Sequence, residues 1–335
     1  MMERSRRERN RLNFPLRCSP LLRRKIWGGR GLAEVLGKAL PPGELVGEAW
    51  EVADLPEASS SIADGPLANV SLREVMERFG PELLPRGGDQ FPLLVKFIDV
   101  QDDSSIQVHP DAETCRRLYP DERCKSETWV IIHAEPGSAV VHGFREGVTA
   151  EEVRRRIADR SIAEVLRRVP VAPGDVLHLP AGTIHAMLRG VMLLEVQQPS
   201  DSTFRIEDYD RPGPEGRPRE LHVEQALQSL HVGESGAPRV IPRLERFEWG
   251  TREVLVSAGA YRMQRLTLHA AMCWRQPSDV PAVMVVVIGS VEVRWPEGEA
   301  LFSMGESLIV PPGVEELTIV PVGESQVVVA LPASR

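Results

Sequence analysis

The chain has 335 residues, 42% of them hydrophobic and 26% charged, and a net charge of −8. That length allows two domains with sizeable cores, and the composition excludes collagen-like and disordered classes. An acidic balance leaves no basic footprint for nucleic acid, and no apolar run approaches the roughly 18 residues of a membrane span.

The chain opens on a basic stretch at 1–11 that no apolar segment follows, so it reads as a solvated arm, not a targeting signal. Ser71 and Glu74 form a capping box that predicts a helix over 71–79. The runs at 91–99 (FPLLVKFID), 128–132 and 191–196 are aliphatic or β-branched between turn residues and predict strands. Between them Thr149 and Glu152 open a second capping box. The spacing of Val153, Ile157, Ile162 and Leu166 extends that helix over 149–169. A third helix is expected over 220–230. Residues 233–242 (GESGAPRVIP) lack periodicity and read as a linker, after which strands at 282–288 and 326–331 dominate. Many short strands with a few inserted helices predict a mainly β protein. Its expected units are a metal-binding barrel at 1–235 and a small C-terminal β domain at 243–335. The cysteines Cys18, Cys115, Cys124 and Cys273 are scattered without a CxxC pair, as reduced thiols in a cytoplasm would be.

Two features stand out from this background. Only four of the 40 basic residues are lysines, at Lys25, Lys38, Lys96 and Lys125. The second is an echo: the frame G-x5-P-x-G starting at Gly174 recurs at Gly305, an offset of 131, inside two β-rich regions. That favours a duplicated unit, in which His185 of the first copy corresponds to Glu316 of the second.

The first copy, G-x5-P-x-G-x2-H ending at His185, resembles a motif of the cupin superfamily of small jelly-roll barrels. Its turn points the histidine into a barrel mouth. Upstream, Gln107 and His109 are two apart and share a face if that run is a strand, and Glu127 follows 18 residues after His109. Two imidazoles, a carboxylate and an amide oxygen suit Zn²⁺, while two histidines and a carboxylate also suit non-haem iron. His133, His142, His178, His222, His231 and His269 sit in no such motif and are read as ordinary surface or core residues.

Several runs then identify the chain as similar to type I mannose-6-phosphate isomerases, in particular their short bacterial branch. They include KIWGG from Lys25, SIQVHP from Ser105, KSETW from Lys125, LPAGTIH from Leu179 and QQPSDSTFR from Gln197. The resemblance covers about residues 14–230. It implies a cupin jelly-roll with inserted helices, and one zinc per chain held by Gln107, His109, Glu127 and His185. It also implies interconversion of mannose 6-phosphate and fructose 6-phosphate through a cis-enediol. Arg205, Lys125 and Glu195 fall on catalytic positions, Lys96 and Ser105 on substrate-binding ones. Lys125 or Glu195 would carry the proton. One departure is Cys124, which stands where another branch has a histidine. Two competing readings of the same ligand set are an iron cupin dioxygenase and a non-catalytic sugar-phosphate-binding module.

Overall fold

The structure is a computed structural model that describes residues 12–213, 216–233 and 236–333. The expected N-terminal arm at 1–11 and residues 234–235 of the expected linker lie outside the described residues. Strands pair antiparallel into sheets of six, five and ten strands, with one two-stranded ribbon.

The six-stranded sheet runs in the order Val176–Leu179, Glu127–Ala134, Val191–Gln197, Leu94–Val100, Glu48–Val52, Leu21–Arg23. The five-stranded sheet runs Leu166–Pro170, Ala139–Phe144, His185–Met187, Ile106–Val108, Phe204–Glu207. The period of two along each strand decides what lies between them. Ile98, Val100, Trp129, Ile131, Leu193 and Met187 form one buried cluster between the two sheets, the interior of a barrel. The alternate residues point outward. On the five-stranded side Ala139, Val141 and Phe204 pack under the helices Ala150–Ala158 and Val223–Ser229, through Val153 and Ala226. On the six-stranded side Val95, Phe97, Leu194 and Val196 meet the helix Leu72–Leu83 and the ten-stranded sheet, through Val75, Val283 and Val328.

The ten-stranded sheet holds every strand after residue 242, together with Leu16–Ser19 and Ser61–Ile62 from the start of the chain. Leu16–Ser19 pairs with Ser307–Val310, with Leu16 opposite Ile309. A second cluster, made of Leu266, Met284, Val286, Phe302, Val329 and others, fills the far side of this sheet. The echo has a structural counterpart. Each copy opens on a glycine with positive φ, Gly174 at 91° and Gly305 at 87°. Each continues as a four-residue strand, Val176–Leu179 and Ser307–Val310, and starts its next strand at His185 and Glu316. No helix of the described residues is long and apolar enough to cross a membrane.

Local signals fixed some elements and not others. Ser71 caps Leu72–Leu83 with both halves of its box formed. Thr149 likewise accepts from the Glu152 backbone, but the expected helix over 149–169 ends at Ala158. Arg160 adopts a left-handed φ of 57°, which breaks the helix, and Leu166–Pro170 instead pairs with Ala139–Phe144. Leu166, Val165 and Ile162 still enter the same cluster as Val153. Their helical spacing was compatible with two different structures. The expected helix over 220–230 is shorter, at Val223–Ser229.

Candidate metal centre

On several barrel strands a charged residue takes an inward position that the pattern would give to an aliphatic one. Lys96 precedes Ile98 and Val100 on its inward face, Glu195 follows Val191 and Leu193, and Glu127 precedes Trp129 and Ile131. Registry then aligns them across the sheet. Glu195 lies opposite both Lys96 and Trp129, and on the facing sheet Gln107 lies opposite both His185 and Arg205.

His109, Glu127 and His185 meet at this end of the barrel. One ligand atom from each lies within 4.8 Å of the others, and all three residues are at most 2% exposed. His109 Nδ1 reaches the Ser202 carbonyl at 2.8 Å and His185 Nδ1 the Thr183 carbonyl at 2.9 Å. Those acceptors place the ring proton on Nδ1 and leave both Nε2 lone pairs facing inward. Burial, and next Lys125, pulls the His109 pKa down to about 3. Burial also lowers that of His185, so both rings are neutral ligands at physiological pH. Burial opposes the charge on Glu127, but the neighbouring Lys125 ammonium leads the influences that outweigh it and hold the carboxyl well below its usual range.

The polar atoms here are unsatisfied in a way that a cation would cure. His109 Nε2 and both carboxylate oxygens of Glu127 are buried without a hydrogen bond. Lys125 Nζ at 3.1 Å and the two Nε2 atoms at 3.3 and 3.4 Å lie in ion-pair range of Glu127, but none has hydrogen-bond geometry. Buried acceptors rarely stay orphaned. Gln107 completes the ring: its Nε2 is 3.2 Å from His185 Nε2, and its Oε1 accepts from Ser105 Oγ at 3.1 Å. The residues present therefore fit a divalent ion with nitrogen and oxygen donors.

A cavity of about 200 Å³ opens beside the trio, and Lys96, Ser105, Gln107, Lys125, Glu195 and Arg205 all line it. Every non-histidine residue expected from sequence, apart from the ligand Glu127, thus shares one wall. Glu195 accepts from the Trp129 indole N–H at 2.9 Å on one oxygen, while the other faces Lys96 Nζ at 3.3 Å without a hydrogen bond. Burial, with Glu127 next, raises its pKa. Burial works against the Lys96 ammonium, yet Glu195 and then Glu48 raise its pKa overall. Lys96 Nζ also lies 4.9 Å over the Trp50 ring. Arg205 donates to the Glu220 carbonyl at 2.8 Å, while its Nε is buried without a partner. Arg211 and Arg219 both bind Asp208, at 2.7 and 2.6 Å, so the Asp208–Arg211 run is an ion-pair cluster at the mouth.

The same cavity is lined by Lys25, Glu48, Asp201, Thr203 and Arg219, which sequence reasoning gave no part in the site. Lys25 pairs with Glu48 at 3.3 Å. The carboxylate of Asp201 makes no hydrogen bond or ion pair among the described residues. The scarcity of lysine was the available signal. All four lysines pair with glutamates, Lys25 with Glu48, Lys38 with Glu51, Lys96 with Glu195 and Lys125 with Glu127. A compact ammonium fits such buried positions where a planar guanidinium would need a wider space.

Comparisons with known proteins agree with one another. A family model described as phosphomannose isomerase type I, catalytic domain, matches residues 14–130. Mannose-6-phosphate isomerase ManA of Bacillus subtilis is 32% identical over 307 residues, spanning 91% of this chain and 95% of that one. The probable mannose-6-phosphate isomerase GmuF of the same organism is 35% identical over 249 residues, 73% of this chain and 76% of the relative. The crystal structure of the B. subtilis mannose 6-phosphate isomerase superposes with a TM-score of 0.86 at 30% identity, covering 94% of this chain and 99% of that one.

Proposed function

The chain belongs to the type I mannose-6-phosphate isomerase family, and from that membership we propose how its polar barrel mouth interconverts D-mannose 6-phosphate and D-fructose 6-phosphate. The protein is an aldose–ketose isomerase. The observation that carries the site assignment is the set of buried, unpartnered ligand atoms on His109 and Glu127 at the edge of a cavity lined by three lysines and two arginines.

One zinc ion per chain is held by His109, Glu127 and His185, with Gln107 as fourth ligand once its amide is turned to present oxygen. Zinc supplies a Lewis acid for the sugar oxygens. Isomerisation moves a proton from C2 to C1 through a cis-enediol, so the protein must carry that proton and anchor the dianionic phosphate. Arg205 is permanently charged and has a free, buried Nε, so it suits an oxyanion and not proton transfer. Lys96 and Ser105 contact the sugar phosphate from the wall. Lys125 and Glu195 are the expected proton carriers, but Glu195 is buried, with one oxygen bound by Trp129 and the other in ion-pair range of Lys96. Asp201, with both oxygens free in the same cavity, is the carboxylate best placed to take the proton from C2. Lys125, against Glu127, then steadies the sugar oxygen beside it. Residues 243–335 are the supporting β domain of this cytoplasmic enzyme.

The test is direct. Zinc-loaded protein supplied with mannose 6-phosphate should yield fructose 6-phosphate, and Asp201→Asn should abolish turnover while retaining the metal. Oxygen uptake in place of isomerisation would move the protein to the dioxygenase reading. Tight sugar-phosphate binding without turnover would move it to the binding-module reading.

A further inference from the structure

The C-terminal sheet gathers a second group of charged side chains on one face, at residues that do not line the cavity beside His109 and Glu127. Directly opposed residues of antiparallel strands share a face. Arg252 lies opposite Leu266, and Arg262 opposite Leu331. Both leucines belong to the second buried cluster, so both arginines project from the face that forms that core. Arg243, opposite Val254, shares this face with Arg252 two residues on. Their guanidinium groups reach past that core to solvent: the Arg243 and Arg252 side chains are 75% and 39% exposed, and Arg262 is exposed.

These arginines open into a cavity of about 670 Å³, more than three times the volume of the catalytic one at about 200 Å³. Its size and mixed lining match a small-molecule site, an apolar wall with a few convergent polar groups. The wall includes Leu266, Met263 and Leu331, and Arg275 joins the other three arginines at the rim. No acidic residue lines it, in a chain whose net charge is −8. The arginines are unequally engaged. Arg243 and Arg252 both bind Glu245, whereas Arg275 reaches Glu316 only at 3.8 Å. Arg262 has no ion pair among the described residues. Two guanidinium groups are therefore available to an anion. At the other end of the strand from Arg262, Phe247 and Trp249 stack in parallel, centroids 4.8 Å apart and planes within 7°, and both line the same cavity. The Arg252 guanidinium lies 5.2 Å over the Phe247 ring, so the aromatic surface offered to a planar ring is that of Trp249.

We propose that this cavity is an accessory binding site for an organic phosphate carrying a planar ring, of mononucleotide type. Arg262 and Arg275 take the phosphate, as forked donors matched to its oxygens, and Trp249 takes the ring. The site is separate from the catalytic pocket: none of its lining residues lines the cavity beside His109 and Glu127.

The experiment is calorimetric titration of the full chain with AMP in the presence of saturating mannose 6-phosphate, so that the catalytic pocket is filled. Adenosine, ribose 5-phosphate and inorganic phosphate are titrated in parallel. AMP is expected to bind once per chain, and each fragment at least about tenfold more weakly, because each lacks one half of the recognition. Arg262→Ala and Trp249→Ala should each weaken AMP by about tenfold or more with isomerase turnover unchanged. Arg262→Ala should also leave the melting temperature unchanged, whereas Trp249 packs against the second core cluster and its loss should lower it. Several results would overturn the proposal. They are no saturable AMP binding, AMP binding displaced by mannose 6-phosphate, or AMP binding unaffected by either substitution. A concentration-dependent dimer abolished by Trp249→Ala would reassign the cavity to a second copy of the chain. Isomerase turnover is measured separately, so failure here leaves the catalytic assignment standing.

Discussion

Replacing Lys38 with methionine tests how the first and last parts of the chain are held together. Lys38 Nζ lies 2.6 Å from Glu51 Oε1, with side chains 9% and 1% exposed. The same ammonium donates to the Gly305 carbonyl at 2.7 Å, and Ser307 Oγ donates to Glu51 Oε2 at 3.2 Å. Gly305 and Ser307 belong to the second copy of the repeated frame, Glu51 to the six-stranded sheet. Lys38→Met strands a buried carboxylate with one hydroxyl for company, and removal of one partner of such a pair costs about 3–5 kcal/mol. Burial already pushes the Glu51 pKa up, with Lys38 the largest opposing influence; without Lys38 it rises further. A carboxyl whose folded pKa lies above its unfolded value binds protons preferentially in the native state. Its penalty therefore grows as pH rises above the unfolded range and fades as pH falls. Urea unfolding followed by tryptophan fluorescence at pH 5 and pH 8 measures both. Lys38→Met should be destabilised more at pH 8 than at pH 5, and adding Glu51→Gln should recover most of the loss. A loss below about 1 kcal/mol, the value of an exposed pair, or one that is equal at the two pH values, would refute the reasoning.

Elemental analysis should find one zinc per chain, lost in His185→Ala and retained in Glu316→Ala; two tightly bound metals would contradict the assignment of the second copy as metal-free. Arg205→Ala should lower kcat/KM by about 10² or more, the scale of one charged transition-state contact, and a smaller fall in a steady-state assay would remove Arg205 from the oxyanion role. Tyr261→Phe breaks a buried contact, Tyr261 Oη to Thr128 Oγ1 at 2.9 Å, that joins the C-terminal sheet to the residue after Glu127. It should cost about 1–3 kcal/mol in unfolding free energy, and Thr128→Val added to it should cost less than it does alone. Glu48 has its pKa lowered to about 2 although burial opposes this, chiefly through Lys25 and Lys96. The stability it contributes is complete above its unfolded value of 4.5 and fades as pH falls towards 2. It is worth at most about 3 kcal/mol. The gap between wild type and Glu48→Gln should therefore narrow between pH 5 and pH 3 in denaturant titrations.

Much of this protein is written in short-range patterns. The aliphatic runs at 91–99 and 191–196, the box at Ser71 and the paired glycine–proline frames each constrain a few adjacent residues. They appear in the structure as strands, a capped helix and matching strand–turn–strand units. His185 was legible from its glycine–proline frame, and His109 and Glu127 from the runs around them that resemble the family, although Glu127 stands 18 residues after His109. The stretch 159–170 was not, because Ile162 and Leu166 satisfy a helical period and a buried strand edge equally well, and only pairing with Ala139–Phe144 selects between them. Lys25, Glu48 and Asp201 entered the catalytic cavity through strand order and loop placement, which no local period records. The arginines of the C-terminal cavity could be counted in the sequence, but that Arg243, Arg252 and Arg262 share one face of the sheet depends on registers across separate strands. The pairing of Leu16–Ser19 with Ser307–Val310 joins segments nearly the whole chain apart. Sequence determined what each segment can be, because propensity and amphipathic period act over a few residues. Tertiary structure decided which segments meet, because burial of apolar faces and the pairing of buried charges are settled only when distant strands close on one core.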